Sequence, residues 1–280
     1  MEWLKKSFPE LSELSPLKNG GQKHVFGCAH QQEGDVVLKL FRSTADAQRV
    51  KREVEAMQKV QCLRVPRVLG VGTVSSDVGE IVWLLEQRIP GEDLRSRLDS
   101  NGPLSANDIL RIALHVLEAL TAAEKVKIVH RDIKPANIIG ADDGSFWLID
   151  FGFARHLDLE SLTSTGALNG FGTIGYAPIE QCSNQRRAID VRADLFALGV
   201  TLYECSAGAN PFIDGARDQL EAMRRTGSVP LPPLDRTIDE ANQFRELVQS
   251  MTRTYREQRI SSAAEALAWI QEICEREQVF

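Results

Sequence analysis

Two short polar segments in the middle of the chain carry residues whose types and spacing could do acid–base and metal chemistry. The first is the run His130–Asn137, in which Asp132 and Asn137 stand five residues apart, and the second begins at Asp150, eighteen residues after Asp132. Carboxylate and amide oxygens are hard ligands that suit Mg²⁺, which keeps much of its water and needs few protein ligands. Aspartate and asparagine in loops are usually ordinary turn residues. Two such loops at this spacing, each following an apolar stretch, favour a functional site instead.

These segments closely resemble the catalytic loop and the metal-binding triplet, here Asp150-Phe151-Gly152, of eukaryotic-type (Hanks-type) Ser/Thr protein kinases. The resemblance implies ATP as phosphate donor and Asp132 as the acceptor of the proton of the attacking hydroxyl. It implies that Asn137 and Asp150 hold Mg²⁺, with Mn²⁺ as the alternative metal. It also implies that Lys134 neutralises the γ-phosphate, which is typical of Ser/Thr rather than Tyr specificity. The alternative for Lys134 is a solvated surface lysine.

A lysine inside an apolar strand is the next candidate. The run Val36–Lys39 resembles the third-strand lysine motif of the family, which implies that Lys39 grips the α- and β-phosphates and that Val37 replaces the usual alanine over the adenine. A buried lysine costs desolvation unless it is paired. The helix that follows offers Glu53, which matches the family's glutamate and is favoured, and Glu55, which points about 200° around the helix.

The loop that covers the phosphates in the family is the poorest match in this chain. Gly20 and Val25 fit, but Lys18 and Lys23 stand where the first and third glycines usually are. Glycine allows close backbone approach to phosphates, and Lys23 is a candidate for adding charge there. Taken alone, two adjacent glycines indicate only a hairpin turn. The nucleotide contacts that the resemblance implies are Gly20, Gly21, Val25, Val37, Lys39, Glu86 and Ile139.

Further along, Gly172–Glu180 resembles the loop that receives the substrate peptide, which implies a protein substrate bearing Ser or Thr. The resemblance pairs Glu180 with Arg259, and half-removing a buried pair is costly, so both residues should matter for folding. It also assigns Asp194 to bracing the backbone of the catalytic loop. The alternative for Asp194 is an exposed helix aspartate, although the apolar residues around it favour burial.

Arg131 often binds an activation-loop phosphate in the family, and the stretch Phe153–Gly172 contains four hydroxyl residues. They are Ser161, Thr163, Ser164 and Thr165. A phosphate adds about −1.5 to −2 charge and can order a loop against an arginine. The pattern therefore predicts autophosphorylation within Ser161–Thr165, and a merely flexible polar loop is the equally weighted alternative.

The elements that must position these residues follow from hydrophobic periodicity and turn signals. The predicted strands are Val25–Ala29, Val36–Phe41, Val65–Val74 and Glu80–Glu86. The predicted helices are Ala45–Val60, Leu104–Lys127, Asp190–Ser206, Asp214–Arg225, Ile238–Thr254 and Ser261–Glu277. Ser105 with Asp108 three residues later predicts a helix start. Between the helices, Ile128–Gln181 is expected to be mostly loop with short strands such as Phe146–Ile149, and a long irregular stretch is usually functional.

Composition sets broad limits on partners and compartment. The chain has 280 residues and a net charge of −6, so it lacks the basic footprint of a nucleic-acid binder. Five scattered cysteines without a CxxC pair argue against a disulfide framework or zinc site and favour a reducing, cytoplasmic compartment. Met1–Glu10 does not resemble a signal peptide, and no apolar run approaches the ~18 residues of a membrane span.

The expected fold is α+β and bilobal, with a small β-rich N-lobe and a larger α-helical C-lobe around a nucleotide cleft. The predicted limits are an N-terminal extension over 1–13, the N-lobe over 14–88 and the C-lobe over 89–280, with a hinge near Glu86–Gly91. The compact size resembles bacterial members of the family. Two alternatives stay open: an ATP-binding pseudokinase scaffold, suggested by the altered glycine loop, and a small-molecule kinase, which the peptide-receiving segment disfavours.

Overall fold

The computed structural model describes residues 2–17, 23–41, 58–77, 79–151, 155–156, 172–183 and 189–279. Gly20 and Gly21, the predicted helix over Ala45–Val60 as far as residue 57, and the hydroxyl residues of Ser161–Thr165 lie outside these ranges. The chain divides into two compact units. The first comprises Met1–Gln61 with Pro66–Pro90, and the second comprises Cys62–Val65 with Gly91–Phe280. The domain limits expected from the sequence stay predictions.

The first unit is built on one antiparallel sheet with the strand order β1-β2-β3-β5-β4. In chain order the strands are Leu11–Pro16 (β1), Lys23–His30 (β2), Gly34–Phe41 (β3), Val68–Ser76 (β4) and Gly79–Gln87 (β5). The strands predicted over Val25–Ala29, Val36–Phe41 and Glu80–Glu86 are confirmed, each with two or three extra residues.

Alternation along β3 separates the two faces of this sheet, because successive side chains of a strand point to opposite sides. One face packs under the N-terminal helix Glu2–Ser7 (α1) and the turn after it. Its apolar cluster consists of Leu4, Phe8, Leu11, Cys28, Val36, Leu38, Leu40 and Leu85. Val37 and Lys39 therefore belong to the opposite face of β3.

The start of β4 differs from the sequence prediction. The apolar run suggested Val65–Val74, whereas the strand spans Val68–Ser76. Pro66 has no backbone N–H to give to a ladder, and Cys62–Val65 belongs to the second unit. There the backbone oxygen of Arg64 accepts a hydrogen bond from the N–H of Leu148 at 2.8 Å.

The second unit is helical around one central helix. Its helices are Leu94–Asn101 (α2), Ala106–Lys125 (α3), Ile179–Cys182 (α4), Val191–Ala207 (α5), Gln219–Ser228 (α6), Gln243–Met251 (α7) and Ala263–Arg276 (α8). Helix α3 packs against α5 and α8. The N-terminal cap predicted for α3 is confirmed, since the Ser105 hydroxyl accepts from the Asp108 N–H at 3.1 Å.

Two helix starts lie five residues later than periodicity suggested, because capping and local backbone conformation decide where a helix begins. Helix α6 starts after Asp218, whose carboxylate accepts from the Glu221 N–H at 2.8 Å, not at Asp214. Helix α7 starts after Asn242, whose φ of 57° interrupts the helix predicted from Ile238.

Helix α2 was not predicted from the sequence, since only Leu94 and Leu98 mark its buried side.

Short strands precede α2 and fill part of the region between α3 and α4. Gly91–Asp93 (β6), Ile138–Ala141 (β8) and Phe146–Leu148 (β9) form a three-stranded sheet, and Ile128–Val129 (β7) pairs with Arg155–His156 (β10). In the described part of Ile128–Gln181 the expected short strand pieces are therefore present. Within the described ranges, none of the helices combines the length and the apolar character needed to cross a membrane.

Candidate active site

The carboxylate of Asp132 lies at the centre of a hydrogen-bonded set in the second unit. Its Oδ1 accepts from the Thr173 hydroxyl at 2.6 Å. Its Oδ2 accepts from the Lys134 ammonium at 2.8 Å and from the Asn137 amide at 3.0 Å. A carboxylate offers about four acceptor positions. The three donors therefore hold Asp132 in one orientation and leave a position for a further donor, such as a hydroxyl.

Thr173 is the residue of this set that the sequence argument did not single out, although it stands in the quoted segment Gly172–Glu180. The Lys134 ammonium donates to the Thr173 hydroxyl at 2.7 Å, in addition to its bond with Asp132. The three side chains thus form a closed triangle that ties the loop His130–Asn137 to the start of the segment Gly172–Glu180. The sequence offered one signal for Thr173, a hydroxyl residue directly after Gly172.

Asn137 and Asp150 are the residues of the second unit that could hold a metal. The Asn137 amide also donates to the backbone oxygen of Asp132 at 2.7 Å, so its own Oδ1 is turned away from that residue. The backbone oxygen of Asn137 accepts from the Ile149 N–H at 2.9 Å, which continues the β8–β9 ladder. Asn137 and Asp150 therefore lie at the same end of two paired strands. Their hard oxygens suit Mg²⁺.

Two residues of this region adopt left-handed backbone conformations without being glycine. Arg131 has φ 70° and Asp150 has φ 71°. Such conformations cost about 1–3 kcal/mol and persist where the surroundings enforce them, often at functional sites. Arg131 lies next to Asp132, and Asp150 is itself a residue that the sequence assigned to metal binding.

Asp194 braces the catalytic loop, as predicted. Its carboxylate accepts from the backbone N–H of His130 at 2.7 Å and of Arg131 at 2.8 Å. Burial raises the pKa of Asp194 to about 7, although the two backbone hydrogen bonds act in the opposite direction. The expectation that Asp194 is buried is confirmed, since it is 1% exposed.

His130 is a structural member of the loop. Its Nε2–H donates to the backbone oxygen of Ile149 at 3.0 Å, because a carbonyl can only accept, and its Nδ1 accepts from the Asp132 N–H at 3.3 Å. Burial lowers the pKa of His130 to about 4, so the ring is neutral at pH 7. It packs edge-on against Phe151, with ring centroids 4.4 Å apart. The ring thus links the Asp132 loop to the Asp150 segment.

The pair predicted between Glu180 and Arg259 is present and buried. The guanidinium donates to Oε1 at 2.6 Å and to Oε2 at 3.2 Å, and each residue is 5% exposed. The same guanidinium donates to three backbone carbonyls, those of Arg192, Arg253 and Thr254. The pair anchors the end of the Gly172–Glu180 segment to the helical core.

A second buried anchor of this segment was not found from the sequence. The Tyr176 hydroxyl donates to Glu204, whose other carboxylate oxygen accepts from Arg95 at 2.7 Å. Burial and the neighbouring Glu204 raise the pKa of Tyr176. Glu204 lies in α5, a helix buried on nearly every side, and its partners come from distant parts of the chain. Nothing in local periodicity indicates such a contact.

In the first unit, Lys39 is buried in β3 and forms an ion pair with Glu86 of β5, with 2.5 Å between Nζ and Oε1. Val25 lies opposite Lys39, and Val37 lies opposite Glu86. The predicted partner Glu53 lies outside the described residues, so that pairing stays a prediction. Ile139 lies in β8 of the second unit, paired with Asp93 and Trp147.

Comparison with known proteins agrees with this fold. The protein kinase domain model matches residues 12–275, and the chain belongs to the protein kinase family. The resemblance stated from the motifs and the expected α+β fold are thereby confirmed.

Bacterial relatives carry more specific names. A probable serine/threonine-protein kinase of Corynebacterium efficiens is 31% identical over 80% of this chain and 34% of its own length. The probable serine/threonine-protein kinase PkwA of Thermomonospora curvata is 32% identical over 84% of this chain and 30% of its own length. The serine/threonine-protein kinase PknL of Mycobacterium tuberculosis is 31% identical over 76% of this chain and 53% of its own length. The aligned region therefore spans at most about half of each of these relatives.

Proposed function

We propose that this chain transfers the γ-phosphate of ATP to a serine or threonine hydroxyl of a protein. The observation that carries the proposal is the buried Asp132 carboxylate, held by Lys134, Thr173 and Asn137 with one acceptor position left over. Phosphoryl transfer asks a protein for positioning and charge neutralisation more than for covalent chemistry. The names of the bacterial relatives support the Ser/Thr class.

In this mechanism Asp132 accepts the proton of the substrate hydroxyl as its oxygen bonds to the γ-phosphorus. The bond between that phosphorus and the bridging oxygen breaks, and ADP leaves. Lys134 supplies positive charge at the transferred group, and Lys39 contacts the α- and β-phosphates. Asn137 and Asp150 are the residues that would hold Mg²⁺, with Mn²⁺ as the alternative, and the metal neutralises phosphate charge when bound.

The segment Gly172–Glu180 is the proposed binding site of the protein substrate. Thr173 ties its beginning to Asp132, and Glu180 ties its end to Arg259. Tyr176 fixes its middle through Glu204. A segment held at three points can present a peptide hydroxyl to a carboxylate with little loss of entropy on binding.

The test is transfer of labelled phosphate from Mg-ATP to a generic Ser/Thr protein acceptor by wild type and Asp132→Asn. Asp142→Asn, which changes an exposed aspartate of the same unit, serves as the matched control. We expect transfer by wild type and control and a loss of about 10²–10⁴-fold in Asp132→Asn. Absence of transfer in all three proteins, with ATP still bound, would contradict the proposal and favour the pseudokinase scaffold. Labelling of a small-molecule acceptor alone would favour the small-molecule kinase.

Autophosphorylation between Ser161 and Thr165 is part of the proposal. Arg131, beside the catalytic aspartate, is the cation that a phosphate in this stretch would approach. Mass spectrometry of protein expressed as wild type and as Asp132→Asn tests it. We expect phosphate on the wild type alone, and active wild-type enzyme without phosphate there would refute it.

A cytoplasmic location is also proposed. It rests on the five cysteines, which are free thiols in the structure. Burial raises the pKa of Cys182 and of Cys274 to about 11, so these two thiols are poor nucleophiles at neutral pH. Cell fractionation tests this part of the proposal independently of the activity.

A further inference from the structure

The side chain of Glu86 is a buried carboxylate that has no role in the proposed mechanism. Its Oε1 lies 2.5 Å from Nζ of Lys39. The side chain of Lys39 is 6% exposed and that of Glu86 is 8% exposed. Both residues belong to the sheet of the first unit, one in β3 and the other in β5.

The strand register explains why these two side chains meet. Lys39 lies opposite Leu84 and Glu86 lies opposite Val37, so Lys39 and Glu86 are diagonal neighbours on the same face. Diagonal positions are about 7–8 Å apart, within reach of long side chains. The direct neighbours on the outer strands are also apolar, Val25 for Lys39 and Val68 for Glu86. Neither flanking strand therefore offers either charge a polar cross-strand neighbour.

Because Lys39 is buried, its contact with Glu86 affects the charged form of its ammonium group. An ammonium group taken out of water disfavours its charged form, and an opposite charge within about 4–6 Å restores it. A lysine ammonium has three donors, and the ion pair with one carboxylate oxygen takes up one of them. The Glu86 carboxylate can thus keep Lys39 charged and directed without occupying all of its hydrogen-bonding capacity.

We infer that Glu86 is a positioning residue for Lys39, holding its ammonium charged and aimed along the β3–β5 face. The role in nucleotide binding rests on the proposed function, because it assumes that Lys39 contacts the phosphates of ATP. The state of the Lys39 amine in the free protein does not rest on it. The two parts can therefore be tested separately.

The first test measures the amine itself. Trace acetic anhydride labels uncharged amines, and peptide mass spectrometry gives the rate at Lys39 relative to the exposed Lys59 between pH 6 and 10 in the absence of nucleotide. The variants are Glu86→Leu and the nearly isosteric Glu86→Gln. The matched control is Glu80→Gln, an exposed glutamate in the same strand. Circular dichroism confirms that each variant is folded.

We expect the relative labelling rate at pH 7.5 to rise about tenfold or more in Glu86→Leu, because loss of a nearby opposite charge raises the uncharged fraction of the amine. Glu86→Gln should show a smaller rise, and Glu80→Gln should match wild type. If the profile of both Glu86 variants superimposes on that of wild type, the inference is wrong.

The second test measures phosphate transfer. A residue that binds phosphates equally in the ground and transition states affects KM rather than kcat. We therefore expect Glu86→Leu to raise KM for Mg-ATP about tenfold, with kcat within about twofold of wild type and partial rescue in Glu86→Gln. An unchanged or lower KM would overturn the positioning role. A wild type that transfers no phosphate contradicts the proposed function, while the labelling profile still decides whether Glu86 controls Lys39.

Discussion

Replacing Glu180 by glutamine should destabilise the second unit strongly, because it leaves the Arg259 guanidinium buried without its countercharge. Removing one partner of a buried pair costs about 3–5 kcal/mol. The guanidinium keeps three carbonyl acceptors and lies 4.8 Å from the centre of the Phe196 ring. These remaining contacts place the expected loss at the lower end, about 3 kcal/mol, or about 6–12 °C in Tm.

Urea unfolding followed by far-ultraviolet circular dichroism and by tryptophan fluorescence measures this loss. Glu257→Gln is the matched control, because the Glu257 side chain is 72% exposed and lies 3.6 Å from Arg256. An exposed pair of this kind contributes about 0–1 kcal/mol. The double variant Glu180→Leu/Arg259→Met should lose less than the two single variants together, since it leaves no orphaned charge. A Glu180→Gln midpoint equal to that of Glu257→Gln would refute the reasoning.

Three further predictions follow from buried polar groups. Burial lowers the pKa of His115 from its ordinary value of 6.5 to about 4, so its contribution to stability is complete above about pH 6.5 and is lost as the pH falls toward 4. In His115→Gln the amide oxygen can still accept from the Phe146 N–H. Between pH 7.5 and pH 5 the free energy of unfolding, measured in urea, should therefore fall by about 2 kcal/mol less in this variant than in wild type. An equal fall in the two proteins would contradict this. Burial raises the pKa of Asp194 from 3.8 to about 7, so its contribution to stability falls as the pH rises from about 4 to 7. Asp194→Asn should flatten this pH dependence of the unfolding free energy and, by releasing a loop N–H, lower kcat at least about tenfold. Full activity of the variant would exclude the bracing role. Tyr176→Phe should cost about 1–3 kcal/mol by leaving a Glu204 oxygen short of a donor and should raise KM for a protein substrate but not for ATP, with the exposed Tyr255→Phe as control; equal effects of the two variants would refute it.

The catalytic loop was predictable from the sequence because its residues are close together in the chain. Asp132, Lys134 and Asn137 lie within six positions, so their spacing can be recognised in the sequence without knowing the rest of the fold. The strand that carries Lys39 was equally predictable, since the alternation of side chains along a strand, with a period of two residues, is a local property of the sequence. The Glu180–Arg259 pair is distant in sequence and was found only through the family resemblance.

Contacts between distant segments were beyond the reach of local patterns. Thr173 reaches Asp132 across 41 positions, and Tyr176 reaches Glu204 across 28. Helix ends were displaced for a similar reason, since hydrophobic periodicity marks a buried side but not the cap that stops the helix. Such contacts depend on which segments the packed core brings side by side.

The sequence by itself determined the class of protein and the types of residue that carry its proposed chemistry, because those residues recur in short motifs with local spacing. Beyond Asp194 and the Glu180–Arg259 pair, which the family resemblance predicted, only the tertiary structure decided which side chains hold them in place. The register of β3 against β5 brought Glu86 to Lys39, and the packing of the Gly172–Glu180 segment brought Thr173 to Asp132. Burial makes these contacts strong, because a charge or hydroxyl that is removed from water costs free energy unless it is paired within the protein.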